Sequence, residues 1–388
     1  MDGMQRVPIV RRHSNRNFER INQNNNRRIV TPFEPEKPLH KSIARRAILR
    51  YVRIYSMLFL FMMGTIMPAI SARNIVATEI NQVAAICGTN EYPSIQQAIN
   101  QALPNATIIV TAGAHNERLT VNKSLIIRGY APETTKLTAI SGENNAVLTI
   151  NAQGVTIVNL SVYNKAQGLY TTGISVRGSH TTISHCILQD TPIGIAVWSS
   201  HTTITRCTFC NCTDEGIALL GSSISTCDDT RIIACVFLKN GDGIELQRSS
   251  ENLIADCCFY NNTHAGIDMI KCLNRNNSVN DCSFSSNYCF GMYCASAPSL
   301  SMTHCTILHD CIELLNTKGC VLSSSTITEV RLLDNTSLFI DQPRQIACIN
   351  CDPTSRCFFV RQSESIKPPS QVKISFQKYR LQNLQFLP

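Results

Sequence analysis

The sequence lacks net charge outside its first 53 residues. Lys and Arg number 35 in the whole chain and 13 in residues 1–53, which leaves 22 for the remainder. Asp and Glu number 27 in the whole chain and 4 in residues 1–53, which leaves 23 for the remainder. Aromatic residues make up 6% of the chain, with a single tryptophan. A neutral domain with few aromatics offers little to a phosphate backbone or to unpaired bases, so we expect no nucleic-acid partner.

The excess positive charge belongs to residues 1–53, which are rich in Asn, Arg and Pro, and we expect a disordered cytoplasmic tail there. Residues 54–72 follow without a charge and are long enough to cross a hydrocarbon layer of about 30 Å. The positive-inside rule then predicts a single-pass signal-anchor, with the rest of the chain outside the cytoplasm. Small residues at the end of this stretch also allow cleavage, which would make the protein secreted.

Cysteine content and glycosylation sequons agree with an extracytoplasmic location. The chain has 19 cysteines, an odd number that leaves at least one thiol without a partner in the same chain. Seven Asn-x-Ser/Thr sequons lie at Asn105, Asn122, Asn159, Asn211, Asn261, Asn276 and Asn335.

After a linker at residues 73–90, an amphipathic helix is predicted over residues 94–103. Ser94 and Gln97 have the spacing of a capping box. The helical period is carried by Ile95, Ala98, Ile99, Ala102 and Leu103.

Two landmarks then recur together along the chain. A glycine followed by Ile or Met recurs every 21 to 27 residues, at Gly173, Gly194, Gly216, Gly243, Gly266 and Gly291. A cysteine two residues before Leu, Phe or Ile recurs every 21 to 28 residues, at Cys186, Cys207, Cys235, Cys257, Cys282 and Cys305. Such units are too short for a βαβ crossover and can bury their apolar residues only by stacking, so residues 91–340 are predicted to form a parallel β-solenoid. The helix would cover the open edge of its first coil.

The run from Ser94 to Gly129 resembles the opening of pectin-lyase-like β-helix proteins. The Gly-Ile and Thr-Ile-x-x-Cys units are similar to the right-handed β-helix repeats of NosD-type copper-binding and carbohydrate-binding or hydrolase families. The resemblance covers residues 91–340 and implies an all-β, right-handed parallel β-helix, with residues 341–388 as a cysteine-containing cap or tail. One departure is that cysteines occupy turns where those families usually stack asparagines.

The resemblance leaves function open, because the superfamily includes lyases, esterases, hydrolases, epimerases and non-enzymatic binders. The motifs of pectin esterases, polygalacturonases, pectate lyases and alginate epimerases are absent or present only as fragments in the wrong order. The sequence therefore favours a protein without enzymatic activity.

The cysteine series allows three interpretations: packing, disulfides between coils, or a soft-metal site such as one for Cu(I). A regular series of one small thiol per coil is what packing requires. Near the C-terminus, Cys348, Cys351 and Cys357 lack a fourth zinc ligand, so a disulfide cluster is expected there. We assign no metal or cofactor, and Ca²⁺ and copper both stay open.

A binding surface can be derived from strand alternation. If the Ile after each repeated Gly points inward, the next residue and the second one beyond it point outward. The resulting ledge would display Arg177, Trp198, Glu245, Gln247, Asp268, Tyr293 and Glu313.

Aromatic side chains beside carboxylates and amides suit a polysaccharide lying along this ledge. Glu245 and Asp268, in neighbouring coils, would be close enough to raise one another's pKa or to share a cation, and they are the candidate catalytic carboxylates. The leading hypothesis is a membrane-anchored or secreted protein that binds glycans or a partner surface. The alternatives are a polysaccharide hydrolase, lyase or epimerase, and a structural or adhesive surface protein.

Overall fold

The computed structural model describes residues 83–87, 92–139, 145–166, 171–222, 226–272, 276–360, 373–376 and 384–387. The tail expected at residues 1–53 and the membrane segment expected at residues 54–72 lie outside these ranges. Within them, no helix has the length and apolar character needed to span a bilayer. Residues 71–388 form one compact unit, which is the unit described below.

This unit is a parallel β-solenoid of about 11 turns, with one short helix, α1 (Ile95–Gln101). The first strands are β1 (Val83–Cys87), β2 (Thr107–Val110), β3 (Gly113–Asn116), β4 (Leu119–Val121), β5 (Ile126–Gly129), β6 (Thr135–Thr138), β7 (Ala146–Ile150), β8 (Thr156–Val158), β9 (Ser161–Tyr163), β10 (Thr172–Val176), β11 (Thr182–Ser184) and β12 (Ile187–Gln189). The next are β13 (Ile193–Val197), β14 (Thr203–Thr205), β15 (Thr208–Cys210), β16 (Glu215–Leu220), β17 (Arg231–Ile233), β18 (Val236–Leu238), β19 (Asp242–Gln247), β20 (Leu253–Ala255), β21 (Cys258–Tyr260), β22 (Ala265–Ile270), β23 (Ser278–Asn280) and β24 (Ser283–Ser285). The last are β25 (Phe290–Ala295), β26 (Ser301–Thr303), β27 (Thr306–Leu315), β28 (Cys320–Ser323), β29 (Thr326–Leu333), β30 (Ser337–Asp341), β31 (Gln345–Cys351), β32 (Arg356–Val360), β33 (Lys373–Phe376) and β34 (Leu384–Leu387).

Each coil contributes to three faces. Face A is a 14-stranded sheet of β1, β2, β5, β8, β11, β14, β17, β20, β23, β26, β28, β30, β32 and β34. Face B contains β3, β6, β9, β12, β15, β18, β21, β24 and the first parts of β27, β29 and β31. Face C contains β4, β7, β10, β13, β16, β19, β22, β25, the second parts of β27, β29 and β31, and β33. Coils continue past residue 340, through β31 and β32.

The core is built from ladders of identical side chains. Phe209, Phe237, Phe259 and Phe284 stack with ring centroids 4.6 to 4.9 Å apart. The repeated glycines line up beside them, as predicted. They lie so close together that a Cβ atom at Gly194 would be 2.4 Å from the carbonyl oxygen of Gly216. The cysteine series also forms a ladder, at the turn between faces A and B, and all six of its thiols are buried.

Packing is the interpretation of the cysteine ladder that the structure supports. The Cys207 Sγ, for example, donates to the carbonyl oxygens of Thr205 (3.3 Å) and of Ile183 in the preceding coil (3.8 Å). Every cysteine whose side chain is described is a free thiol. The disulfide cluster expected for Cys348, Cys351 and Cys357 is therefore not formed, and those three cysteines lie on β31 and β32.

Asparagines do stack, contrary to the expectation that cysteines replace them. The ladder lies at the turn between faces B and C, five residues after the cysteines of three successive coils, Cys235, Cys257 and Cys282. Asn240 donates through Nδ2 to Asn262 Oδ1 (3.1 Å), and Asn262 donates to Asn287 Oδ1 (2.8 Å). Asn287 donates to Asp310 Oδ2 (2.6 Å), so a carboxylate ends the ladder. These side chains are all buried and satisfy one another.

Helix α1 covers the first coil of face C, as the amphipathic pattern predicted. Ile95, Ala98, Ile99 and Ala102 are buried, but Leu103 is 76% exposed because the helix ends before it. The Gln96 side chain accepts from the Thr120 N–H (2.7 Å) and donates to the Thr120 carbonyl (3.1 Å). It thereby occupies the edge of β4 where a further strand would otherwise pair.

Candidate functional site

The predicted ledge lies on face C, and its register is as expected. Each Ile or Met that follows a repeated glycine is fully buried. The residues one position further on pair coil by coil in a single column: Ser175, Ala196, Ala218, Glu245, Asp268, Tyr293 and Glu313. Residues distant in sequence therefore become neighbours on one face.

The column is recessed at its N-terminal end and at Asp268, which strand alternation did not predict. Ser175, Ala196, Ala218 and Asp268 are at most 7% exposed. The Glu245, Tyr293, Glu313 and Gln247 side chains are half-buried, and Arg177 and Trp198 are exposed. The surface is thus a depression, with long side chains only on parts of its border.

A cavity of about 450 Å³ occupies the N-terminal end of this depression. Arg177 and Trp198, both predicted from the sequence, line it together with Arg118. The remaining lining is mostly small or polar and includes Asn151 and Ser175. A concave site with an aromatic surface and a few charged or polar groups has the usual properties of a small-molecule or oligomer subsite.

Acidic side chains converge in the middle of face C. The carboxylate oxygens of Glu215, Asp242 and Glu245 lie within 4.8 Å of one another. The same limit holds for the ligand atoms of Asp242, His264 and Asp268, so Asp242 belongs to both groups. Glu245 and Asp268 are direct neighbours in the register between β19 and β22.

Asp242 is held in place by two donors. Its Oδ1 accepts from the backbone N–H of Ala265 (2.8 Å) and lies 2.8 Å from His264 Nδ1. The hydrogen bond with Asp242 raises the pKa of His264, while burial opposes this increase. The imidazole is therefore oriented and biased toward its cationic form by the carboxylate.

Asp268 has a strongly perturbed carboxyl group. Burial, together with the charges of Asp242 and Glu245, raises its pKa to about 8, and His264 lowers it. Its Oδ1 is buried and has no hydrogen-bond partner among the described residues. Burial and the neighbouring Glu245 also raise the pKa of Glu215, which is 6% exposed. At neutral pH this cluster retains protons on carboxyl groups.

The sequence analysis named Glu245 and Asp268 but missed Glu215, Asp242 and His264. Alternation fails at the repeated glycine, because a Cβ atom at Gly216 would point into the core, 2.8 Å from Phe237 Cδ1. Gly216 and Ile217 thus both face inward, which turns Glu215 outward. The signal was present in the sequence, since Glu215 and Asp242 occupy the same position in their repeats, directly before the glycine.

Beyond Tyr293 the depression ends at charged side chains that form ion pairs with one another. Arg331 Nε donates to Glu329 Oε1 (2.9 Å), and Arg331 Nη1 lies 3.7 Å from Glu313 Oε2. Asn350 donates to the same Glu329 oxygen (2.6 Å). Glu313, predicted as a ligand-binding residue, is therefore part of an ion-pair network next to the acidic cluster.

The sequence family described as "Right handed beta helix region" matches residues 145–307, which carry most of the repeats and the acidic cluster. No curated protein sequence matches the chain.

Solved structures with the same fold include the catalytic domain of Agl-KA, with a TM-score of 0.54 and 11% identity over 73% of this chain and 63% of that one. DFA-IIIase from Arthrobacter chlorophenolicus A6 without its lid has a TM-score of 0.53 and 12% identity, over 76% and 100%. The A-module of the mannuronan C-5 epimerase AlgE4 from Azotobacter vinelandii has a TM-score of 0.52 and 12% identity, over 79% and 97%. At these identities the similarity shows the fold alone. The chain spans less than two thirds of the Agl-KA domain.

Proposed function

Because this chain is a right-handed parallel β-helix with the fold of pectin-lyase-like proteins, we propose that it binds an acidic glycan along face C without converting it. The cavity at the N-terminal end of the depression is the main subsite. The observation that carries the proposal is that Trp198 lines the cavity together with two arginines, Arg118 and Arg177. The AlgE4 A-module, which has a similar fold, is a mannuronan C-5 epimerase, and this supports the ligand class by analogy.

The chemistry of the cavity favours a sugar acid over a neutral sugar. The indole of Trp198 is 39% exposed and offers an apolar surface to a sugar ring. Guanidinium groups bind carboxylates through paired, charge-assisted hydrogen bonds. Arg118 and Arg177 supply two guanidinium groups to the lining of the cavity. Asn151 and Ser175 supply donors and acceptors for hydroxyl groups.

The test is binding of the full-length chain to an array that holds neutral and uronic-acid polysaccharides. We expect binding to uronic acids, and Arg177→Ala and Trp198→Ala should each weaken it at least about tenfold. Arg231→Ala is the matched control, because Arg231 is exposed on face A. Binding that prefers neutral glycans, or that survives both face C substitutions, would contradict the proposal.

A second candidate, a polysaccharide hydrolase, lyase or epimerase, is favoured by one observation. A carboxyl with a pKa of about 8, Asp268, adjoins Glu245, which gives a protonated acid beside another carboxylate. Release of reducing ends or of unsaturated products from a polysaccharide panel would establish the enzyme. Asp268→Asn would then abolish turnover. If neither glycan binding nor turnover is found, the third function, a structural or adhesive surface protein, is the one supported.

We also propose that the β-solenoid lies outside the cytoplasm. Of the seven sequon asparagines, five are exposed, namely Asn105, Asn122, Asn211, Asn276 and Asn335. Expression in a glycosylating host followed by glycosidase treatment should therefore shift the electrophoretic mobility of the chain. Protease protection of residues 1–53 in sealed vesicles would distinguish a retained anchor from a cleaved signal, because only an anchored chain keeps its tail.

A further inference from the structure

We propose that Glu215, Asp242, Glu245 and Asp268 form a binding site for a calcium ion on face C. Two independent features support it. Two groups of three ligand atoms, each within 4.8 Å of one another, share Asp242 and together contain these four carboxylates from three consecutive coils, and the buried Oδ1 of Asp268 has no hydrogen-bond partner among the described residues. This inference goes beyond the glycan-binding proposal and uses residues outside the cavity.

The spacing of the oxygens around Asp242 fits the coordination distance of calcium. Ca²⁺ is bound by oxygens about 2.4 Å away, so two ligands on opposite sides of the ion are about 4.8 Å apart. Glu215, Asp242 and Glu245 place their carboxylate oxygens within 4.8 Å of one another, and Asp242 and Asp268 meet the same limit. The solenoid itself fixes this spacing, since Glu215 pairs with Asp242 and Glu245 pairs with Asp268 across adjacent coils.

The cluster also needs positive charge. Burial and the neighbouring carboxylates disfavour ionisation of Asp268, and the nearby group that favours its ionisation is His264. One imidazole cannot compensate four carboxylates. A divalent cation would favour the ionised form of these carboxyl groups. It would also be coordinated by Asp268 Oδ1, which has no hydrogen-bond partner among the described residues.

The donor set selects the ion. All four ligands are carboxylates, which suit hard cations, and Ca²⁺ tolerates the irregular geometry that side chains on successive strands impose. Among the described residues, His264 is the one nitrogen ligand that lies within this distance, and its Nδ1 is engaged with Asp242. Zinc, which prefers nitrogen and sulfur ligands in tetrahedral sites, therefore fits less well.

The direct test is calorimetric titration of the full-length chain with CaCl₂ at pH 7, without any glycan. We expect saturable binding of one ion, weakened at least about tenfold by Asp268→Asn and by Glu245→Gln. The control is Asp229→Asn, which removes the same charge from an exposed turn where Asp229 contacts His201. Circular dichroism confirms that each variant is folded, and Glu245, at the half-buried border, covers the case in which Asp268→Asn does not fold.

The choice of metal gives a second readout. Because all four proposed ligands are carboxylates, we expect CaCl₂ to bind more tightly than ZnCl₂. Absence of saturable calcium binding, tighter binding of ZnCl₂ than of CaCl₂, or equal affinity in Asp268→Asn and Asp229→Asn would overturn the site. None of these results would bear on glycan binding, which is measured with variants of the cavity.

Discussion

At the scale of single residues, the repeated glycines determine the shape of face C. A Cβ atom at Gly216 would lie 2.7 Å from the Gly243 carbonyl oxygen and 2.8 Å from Phe237 Cδ1. The glycine thus lets the backbone approach the phenylalanine ladder and also bends the strand so that Glu215 faces outward. Both the packing of the core and the outward position of Glu215 therefore require that residue 216 has no Cβ atom.

Gly216→Ala should therefore lower the free energy of unfolding by about 1–3 kcal/mol, the usual cost of overpacking a core. Gly291→Ala is the graded control. Its Cβ would meet side-chain atoms of Ile307 and Asp310 at 3.0 and 3.1 Å, and the nearest backbone oxygen is 3.5 Å away. We expect Gly291→Ala to cost less in urea-induced unfolding, and equal costs would contradict the role given to the backbone contact.

Asp268 makes the stability of the chain depend on pH. Its pKa is about 8 in the folded chain and about 3.9 when unfolded, so the folded state holds the proton more tightly between these values. Stability should therefore fall as pH rises, by about 3–4 kcal/mol between pH 5 and pH 8 without added calcium.

Urea-induced unfolding at a series of pH values checks this dependence. Asp268→Asn should flatten the decline, whereas Asp229→Asn should leave it unchanged. A wild-type chain whose stability rises over the same interval would contradict the buried, protonated state of Asp268.

At the scale of elements, helix α1 is attached through its polar side chains as well as its apolar face. Glu117 accepts from Ser94 Oγ (2.7 Å) and from the N–H groups of Ile95 (2.9 Å) and Gln96 (3.1 Å). Lys123 donates to the carbonyls of Asn100 (3.0 Å) and Ala102 (2.9 Å) at the other end. Opposite charges thus meet both ends of the helix dipole.

Gln96→Ala should destabilise the N-terminal coil by about 1–3 kcal/mol, because it leaves the edge of β4 without its two hydrogen bonds. Gln101→Ala, at an exposed position of the same helix, is the matched control and should be neutral. Amide hydrogen exchange at Thr120 gives the local readout. Unchanged protection of that amide in Gln96→Ala would rule out this role of the side chain.

Sequence periodicity was sufficient for the elements and insufficient for the turns between them. The helix, the strand register of face C and the glycine column follow from spacing alone. The turns use left-handed backbone at residues with no glycine signal, with φ between 48° and 55° at His185, Arg206, Ala234, Asp256, Asp281, His304 and Ser324. The cysteine series marks where these turns lie, but the residue with this φ is His, Arg, Ala, Asp or Ser, so its type does not indicate the left-handed backbone. Glu215, Asp242 and His264 were missed for a separate reason, because alternation breaks at the glycine.

At the scale of the whole molecule, each coil depends on its neighbours. The asparagine ladder shows this most clearly, since Asn262 accepts from the Asn240 side chain and backbone and donates to Asn287. Removing this side chain leaves the buried Asn240 N–H without its acceptor and leaves Asn287 Oδ1 with only the Asn262 N–H as a donor. In a solenoid such damage affects adjacent coils, because each unit contacts only its neighbours.

Asn262→Leu should therefore cost about 2–4 kcal/mol, more than a single hydrogen bond, because the four buried hydrogen bonds of this side chain are lost at once. Hydrogen exchange followed by mass spectrometry should show faster exchange in the coils of Asn240, Asn262 and Asn287 and unchanged exchange in the coil of Thr120. Asn280→Ala, a half-buried side chain on face A, controls for loss of an asparagine outside the ladder and should change neither quantity. Uniformly faster exchange along the whole chain would mean that the solenoid unfolds as one unit, and the nearest-neighbour account of its stability would then be wrong.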